Sequence, residues 1–390
     1  MTLRQAFFPL GVALLAASPW LPLQAQSLYQ QRLQVSSGLE RDSNPGVNTP
    51  AKGGVTRWRV SPEYSLLRRD GLDDLTLKLG ATLEQSSNTA LSRDRRDGNV
   101  QGEWQHTAEN TIYQLRGGFS QAALRNVLLQ ETGQLSNDGT RTTRSLEGLV
   151  VHQLSELYTV SGGATAQWNR YSGNTAPNGR QFSINGELGR ALAPGRDVYL
   201  AGAISRFAAD SLASSVPGGP VQPANNSTLA NLSVGTRYAA PDDPWFWDAR
   251  VGAARYRSSL SAGTSTSATV VAQAGYKAPR WSLSLSLARQ PVPDALRGTF
   301  SPNQQARASA EYLLTEFTRV GLDVSWNRTK GLQTDTSREF GLRVSSELAP
   351  LWTLAVQLRR VNAAHDAIAL PTRGGATIAG VVLTYTHPDF

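Results

Sequence analysis

The chain has 390 residues, with 38 Lys and Arg against 30 Asp and Glu and a formal net charge of +8. Hydrophobic residues make up 40% of it and cysteine is absent, which excludes a disulfide framework, a thiolate metal site and lipid attachment through cysteine. Beyond the N-terminus no stretch approaches the roughly 20 apolar residues of a membrane-spanning helix, so an α-helical membrane protein is excluded as well.

The N-terminus has the pattern of a secretory signal. Arg4 precedes an apolar segment, residues 6–23, that three prolines interrupt, and the small residue Ala25 follows. This order of positive, apolar and small residues predicts a cleaved signal peptide over residues 1–25. An uncleaved membrane anchor is the alternative, but the prolines disfavour it. We expect residues 26–390 to form one exported domain.

Along the rest of the chain, apolar and polar residues alternate with a period of two. In one such segment, Leu75, Leu77 and Leu79 alternate with Thr76 and Lys78. This alternation predicts strands with one apolar and one polar face. There are about eighteen such segments, each near the length of a tilted strand that crosses a bilayer. We place them at 29–39, 55–68, 74–85, 99–107, 111–120, 141–153, 158–169, 181–191, 198–208, 228–239, 245–257, 267–277, 281–289, 304–313, 318–328, 338–348, 352–360 and 376–387.

The connections between these segments alternate in length. Tight turns alternate with longer segments rich in Gly, Ser and Asn. The predicted long loops are 40–54, 86–98, 121–140, 170–180, 209–227, 258–266, 290–303, 329–337 and 361–375. Short periplasmic turns and long extracellular loops are typical of bacterial outer-membrane barrels, whereas a soluble β-sandwich has no reason for this alternation. The sequence therefore predicts an all-β, transmembrane, antiparallel up-and-down barrel of about 18 strands, located in the outer membrane of a Gram-negative bacterium.

Aromatic residues gather at strand ends next to the short turns, where amphipathic rings favour the membrane interface. The predicted members of this periplasmic belt are Tyr113, Tyr158, Tyr238, Trp245, Tyr276, Trp281 and Trp352. Phe246 follows Trp245, and we place it in the same belt. Trp168 and Trp326 lie at the opposite strand ends and are predicted to belong to an outer girdle.

The chain ends in Phe390, on a strand whose aromatic phase matches only in part. A terminal aromatic of this kind resembles the signal that the outer-membrane barrel-assembly machinery reads, so we expect that machinery as a partner. The other expected partners of the surface are outer-membrane lipid and lipopolysaccharide.

Polar residues opposite the apolar face are predicted to line the lumen, with arginine more common than acidic residues. The lumen-lining candidates are Arg57, Arg59, Lys78, Arg116, Arg250, Arg307, Arg319, Arg343, Arg359, Glu147, Glu187 and Asp323. A barrel of this size holds water unless loops plug it, and excess arginine would favour anionic solutes. The alternative is that arginine and acidic residues neutralise each other across the wall. The longest loops, 121–140 and 209–227, are the candidates for a plug or gate.

No residue pattern indicates catalysis. His365 and Asp366 could suggest a protease-like pair, but no strand-anchored acidic partner is available to orient a water. No histidine pair has metal-ligand spacing and no nucleotide fingerprint appears, so we expect neither an enzyme nor a cofactor. Because arginines are spread along every strand instead of forming a patch, nucleic-acid binding is not expected.

Several loop and turn stretches resemble those of a known group of proteins. They are Gly38–Pro45, Ser61–Tyr64 with the turn Arg69–Gly71, and Glu131–Gly133 leading to Asp138–Arg141. They are similar to stretches of the outer-membrane barrels found beside exosortase and surface-polysaccharide genes in proteobacteria. The resemblance implies an outer-membrane conduit for export of an extracellular or capsular polysaccharide, with periplasmic export components as partners. It supplies no catalytic residues. A general or small-solute porin, and a structural or adhesive barrel with a plugged lumen, are the alternatives.

Overall fold

A computed structural model describes residues 28–47, 50–132, 139–172, 176–213, 221–260, 263–331, 334–366 and 372–387. The predicted signal peptide and Phe390 lie outside the described residues. The strands are β1 (Leu28–Asp42), β2 (Val55–Asp70), β3 (Asp73–Ser86), β4 (Arg95–Thr107), β5 (Thr111–Ala123), β6 (Thr140–Gln153), β7 (Tyr158–Tyr171), β8 (Gly179–Ala193), β9 (Arg196–Ala209), β10 (Asn225–Ala239), β11 (Trp245–Ser258), β12 (Thr264–Lys277), β13 (Trp281–Asp294), β14 (Thr299–Leu313), β15 (Thr318–Lys330), β16 (Thr334–Ala349), β17 (Trp352–Asp366) and β18 (Thr372–His387), and a helix, α1 (Leu124–Thr132), lies between β5 and β6. Within these ranges no helix has the length and apolarity needed to cross a membrane.

The strands form one closed antiparallel sheet. Each strand pairs with its neighbours in chain order, and β1 also pairs with β18, from Leu33 opposite His387 to Asp42 opposite Ile378. Closure leaves no unpaired sheet edge, which is the condition for strands to cross a bilayer. The predicted barrel of 18 strands is therefore confirmed, and with it the outer-membrane location. The short connections and both ends of the described chain lie at the periplasmic end.

Several strands extend further than their alternating pattern predicted. β13 and β14 continue through most of the predicted loop 290–303, so that only residues 295–298 connect them. Prolines cannot donate to a ladder, but Pro291 lies directly opposite Pro302, so both missing donors belong to one residue pair and the ladder continues. The predicted loops 258–266 and 329–337 are also shorter in the structure. In both places the strands remain paired beyond the membrane, where the alternation of apolar and polar residues has already stopped.

The two faces of the sheet differ sharply. Ile184 on β8 and Ile204 on β9 lie opposite each other and are 70% and 62% exposed. One position along, Ser183 and Ser205 point the other way and their hydroxyls hydrogen-bond at 2.9 Å. An exposed apolar surface of this extent marks contact with lipid. The apolar phase therefore faces the membrane and the polar phase faces the lumen.

Aromatic rings meet across neighbouring strands at the periplasmic end. The ring centroids of Trp281 and Tyr312 are 4.4 Å apart, and those of Trp245 and Tyr276 are 4.9 Å apart. The ring centroids of Trp352 and Tyr385 are 5.0 Å apart. Tyr385 was not among the predicted belt residues. The other proposed belt members, Tyr113, Tyr158 and Tyr238, lie on β5, β7 and β10 next to short turns.

Phe246 faces the lumen and does not belong to the lipid-facing belt. It lies opposite Gly275, and its ring occupies the space that a side chain at that glycine would fill. Gly275 is in turn opposite Ser284, which lines a lumen cavity. Because neighbouring side chains of a strand point to opposite faces, Phe246 faces the lumen where Trp245 faces the lipid.

Candidate functional site

Helix α1 runs inside the barrel from one wall to the other. Near its start, Arg125 Nη1 donates a hydrogen bond of 2.8 Å to the carbonyl of Pro45, which follows β1. At its end, the Thr329 hydroxyl of β15 donates to the Thr132 carbonyl at 2.6 Å. Since β15 lies on the opposite side of the ring from β5, this nine-residue helix, about 13 Å long, crosses the lumen.

The wall also caps this helix. The last carbonyls of a helix have no partner within it. Here the Thr132 carbonyl accepts from Thr329, and the Leu129 carbonyl accepts from the Ser337 hydroxyl at 3.5 Å. Leu128 is almost fully buried on the helix. β15 and β16 therefore each bind the end of α1 through a hydroxyl group.

The tip of the β13–β14 hairpin also folds inward. The Asn225 side chain of β10 donates to the Gly298 carbonyl at 2.8 Å, and Phe300 contacts Phe207 of β9 with ring centroids 6.2 Å apart. Gly298 has φ of 65°, and an added Cβ would lie against Ala209. Glycine is needed at this turn both for the backbone conformation and for the close approach to β9.

A third inward segment follows β1. The Asn44 side chain donates to the Gly375 carbonyl of β18 at 3.1 Å. Val47 packs with Ala363 and Ala376, on the inner face of β17 and β18. Together with α1 and the β13–β14 tip, this segment narrows the extracellular half of the lumen.

Arg57 of β2 is the centre of a buried ionic network. Its side chain is 1% exposed and pairs with Glu40 at 2.8 Å and with Asp42 at 3.1 Å. The Arg57 Nε donates to the Ser92 hydroxyl at 3.1 Å and lies 3.6 Å from Glu84. Every nitrogen of the guanidinium has an acceptor, which a buried charge requires. Arg57 is thus a structural centre that ties β1, β2 and β3 to the external loop after β3.

Two further arginines balance the charge of this network. Arg59 binds Glu84 at 2.5 Å, and Arg125 lies 3.6 Å from Asp42. Burial, followed by the nearby charge of Arg57, lowers the pKa of Arg125 to about 10, so it stays protonated at neutral pH. Three arginines therefore face the three carboxylates of Glu40, Asp42 and Glu84, and the network anchors the start of α1.

A cavity of about 530 Å³ lies beside the network, between α1 and the external segments after β1 and β3. Its charged lining residues are Lys52, Arg59, Arg93, Arg95, Arg125, Glu84 and Asp97. Both carboxylates are already engaged, since Glu84 binds Arg59 and Asp97 accepts two bonds from Arg95, at 2.8 and 2.9 Å. Arg59 and Arg125 belong to the balanced network and Arg95 binds Asp97, so Lys52 and Arg93 supply the further positive charge of the lining, which attracts anions.

The strand register shows that all twelve lumen-lining candidates point into the lumen. They are distributed along the wall and do not form one cluster. Three of the arginines there have acidic partners: Arg116 binds Glu103 at 3.1 Å, Arg359 binds Glu339 at 3.1 Å and Arg319 lies 3.7 Å from Glu311. Glu187 binds Arg237. Lys78, Arg250 and Arg343 form no ion pair with a residue that the structure describes. Neutralisation therefore holds for part of the wall, and both the wall and the cavity beside α1 carry further cations.

His365 belongs to a second ionic cluster and does not pair with Asp366. It binds Asp335 on the adjacent strand β16, and Asp335 also accepts from Arg297 at 3.1 Å. Arg297 in turn binds the buried Asp294 at 2.5 Å. This cluster holds the β13–β14 tip against β16. In the described ranges no group of three or more His, Asp or Glu side chains is arranged to hold a metal ion.

The residues that the sequence did not single out lie mostly outside the alternating segments. Arg125 and Thr132 belong to a predicted loop, and Asp42 and Asp294 lie where strands continue beyond their predicted ends. The spacing of Leu124 and Leu128, which is one helical turn, could have indicated a helix within that predicted loop.

No protein-family model and no curated protein sequence matches the chain. Among solved structures, OpdO of Pseudomonas aeruginosa superposes with a TM-score of 0.50 at 10% identity, covering 92% of this chain and 97% of that one. A BenF-like porin from Pseudomonas fluorescens Pf-5 gives 0.49 at 12% identity over 92% and 98%. The siderophore receptor PirA of Pseudomonas aeruginosa gives 0.47 at 10% identity over 92% and 80%. At such low identity the likeness concerns the fold alone, which for this chain is that of a closed outer-membrane barrel.

Proposed function

We propose that the protein is a non-enzymatic outer-membrane channel that favours small anionic solutes. The observation that carries the proposal is the cavity of about 530 Å³ beside α1, where Lys52 and Arg93 add to arginines that already face carboxylates. A narrow passage lined by one sign of charge concentrates the opposite ion and slows the like one. Because α1 crosses the lumen, solutes have to pass close to this charge.

Charge removal in the cavity is expected to reduce anion selectivity. The double variant Lys52→Gln, Arg93→Gln should lower the ratio of chloride to potassium permeability, measured from the reversal potential in planar bilayers under a KCl gradient. The matched control, Arg196→Gln with Arg280→Gln, removes the same charge at the periplasmic end and should leave the ratio unchanged. Equal ratios for the wild-type protein and the cavity variant would contradict the proposal. A barrel that carries no ion current would instead support a plugged structural surface protein.

Export of a polysaccharide is a second candidate, and one structural observation supports it. Part of the resemblance to surface-polysaccharide barrels rests on the stretch Gly38–Pro45, which supplies Glu40 and Asp42 to the buried network and the Pro45 carbonyl to Arg125. A polymer has more cross-section than a small anion, so this function requires α1 to leave the opposite wall during export. Among the described residues, the hydroxyls of Thr329 on β15 and Ser337 on β16 bind the carbonyls at that end.

A cross-link separates the two candidates. The chain has no cysteine, so a Thr132→Cys, Thr329→Cys pair closed by a short bismaleimide holds α1 to β15 without side reactions. For a polysaccharide conduit, cells that carry the cross-linked barrel should stop exporting the polymer, while the purified barrel keeps its chloride conductance. The single variant Thr132→Cys, treated in the same way, is the control. Normal export by a deletion strain would rule out the polysaccharide function and leave the anion channel untouched.

A further inference from the structure

Two hairpins carry the same residues at their extracellular ends. Trp168–Arg170 on β7 and Trp326–Arg328 on β15 both read Trp-Asn-Arg, and Arg180–Phe182 on β8 and Arg338–Phe340 on β16 both have Arg and Phe two positions apart. The pairing is also the same, with Trp168 opposite Arg180 and Trp326 opposite Arg338. One arrangement of side chains thus occurs twice on the barrel.

These side chains face the membrane. Trp168 and Phe182 are 41% and 46% exposed, and their rings meet edge to face at 5.9 Å. The residue between Trp168 and Arg170 points inward, since the Asn169 side chain accepts a hydrogen bond of 2.9 Å from Thr143. By the alternation of a strand, the arginine that follows lies on the outer face with the tryptophan.

More arginines surround the first hairpin. Arg144 of β6 lies opposite Trp168 on its other side, and Arg206 of β9 lies opposite Phe182. With Arg170 and Arg180 these make four exposed arginines on four adjacent strands, which are about 4.8 Å apart. None of the four forms an ion pair with a described residue, and the outward positions of β6, β7, β8 and β9 hold no Asp or Glu.

The second hairpin repeats this arrangement with three arginines, because Ala306 of β14 occupies the position opposite Trp326 that corresponds to Arg144. Trp326, Arg338 and Phe340 line an outer groove of about 400 Å³ together with Arg360 of β17. Arg360 donates a hydrogen bond of 2.8 Å to Thr377 and makes no ion pair with any residue the structure describes. The repetition shows that the cluster on the first hairpin follows a pattern of the barrel.

Outward arginines at the periplasmic end are satisfied differently. Arg190 lies over the ring of Tyr158 at 5.8 Å and Arg68 over Tyr29 at 5.6 Å. Arg68 also binds Asp70 at 2.8 Å. Among the residues that the structure describes, Arg144, Arg170, Arg180 and Arg206 have neither an acidic partner nor a stacked tyrosine, which leaves their charge available to lipid headgroups.

We propose that each hairpin binds the phosphorylated glycolipid of the outer leaflet, lipopolysaccharide, through its lipid A phosphates. Guanidinium groups bind phosphate oxygens in pairs with a geometry that suits both partners. At the first site Arg144, Arg170, Arg180 and Arg206 provide the cations, and Trp168 with Phe182 provides an apolar surface for the acyl chain below the headgroup. This inference is independent of what passes through the lumen.

Lipid retention by the purified barrel tests the proposal. Native mass spectrometry after incubation with bisphosphorylated lipid A, and with the same lipid after removal of its phosphates, should show preferential retention of the phosphorylated form. The variant Arg144→Gln, Arg170→Gln, Arg180→Gln should lose about tenfold or more in retention, and the corresponding Lys variant should lose less. The control Arg68→Gln, Arg190→Gln, Arg196→Gln removes equal charge at the periplasmic end and should keep full retention.

Three results would overturn the proposal. These are equal retention of the two lipid A forms, equal loss in the periplasmic control, and retention of phosphatidylglycerol as strong as that of lipid A. The last result would mean that the surface binds any anionic lipid. Folding of each variant is checked by the shift of unheated barrel in gel electrophoresis, so that a misfolded variant is not counted as a loss of binding.

Discussion

Replacing α1, residues 124–132, with a flexible Gly-Ser linker is expected to raise the single-channel conductance several-fold. The helix crosses a lumen that 18 strands enclose, and a barrel of that size without an inward segment holds a water-filled pore. The measurement is single-channel current in planar bilayers. Anion selectivity should fall at the same time, because the cavity that concentrates the cations loses one of its walls.

A smaller change tests the same point without deleting backbone. Thr329→Val removes the hydroxyl that donates to the Thr132 carbonyl at 2.6 Å and accepts from Asn303 at 2.8 Å, and the loss of such a hydrogen bond costs about 0.5–1.5 kcal/mol. We expect the current to switch more often to a higher conductance level. Thr329→Ser keeps the hydroxyl and serves as the matched control. If the linker variant conducts like the wild-type protein, α1 does not form the constriction.

Substitution of Arg57 by Met is expected to destabilise the barrel by about 3–5 kcal/mol, the usual cost of removing one member of a buried ion pair, because Arg59 and Arg125 then face three carboxylates. Asp42 and Glu84 are nearly inaccessible, and Arg57 is the side chain that bridges them. The measurement is urea unfolding of the barrel in lipid vesicles. The segment after β1 should also become sensitive to added protease, since the network holds it in the lumen.

An exposed ion pair provides the control for this variant. Arg319 and Glu311 are 62% and 55% exposed and 3.7 Å apart, and such pairs contribute about 0–1 kcal/mol. Arg319→Met should therefore leave the urea midpoint almost unchanged. Arg57→Lys is expected to fall between the two, because a single ammonium cannot reach all the acceptors that the guanidinium fork reaches. Equal effects of Arg57→Met and Arg319→Met would show that the network does not stabilise the fold.

The strands and their faces were predictable from local patterns. In a barrel wall each residue faces either lipid or lumen, so the sequence has to alternate, and that alternation placed Leu75 on the apolar face and Arg59 in the lumen without knowledge of any partner. The same reasoning failed where the pattern was not local. Phe246 was assigned by its neighbour Trp245 instead of by its phase, and Pro291 was read as a loop residue because the facing Pro302 is visible only once the register is known.

The sequence by itself determined the closed barrel, its orientation and the polar character of its lumen, because these depend on periodicity and on loop length. Only the tertiary structure decided what occupies the lumen. The bond between Thr132 and Thr329 joins residues 197 positions apart, and the burial of Arg57 depends on carboxylates from two neighbouring strands. The repeated motif Trp-Asn-Arg can likewise be found in the sequence, but only the strand pairing shows that Arg144 and Arg206 lie beside the first copy. Such contacts between distant segments depend on how all the strands pair around the closed barrel, so they cannot be predicted from a local sequence pattern.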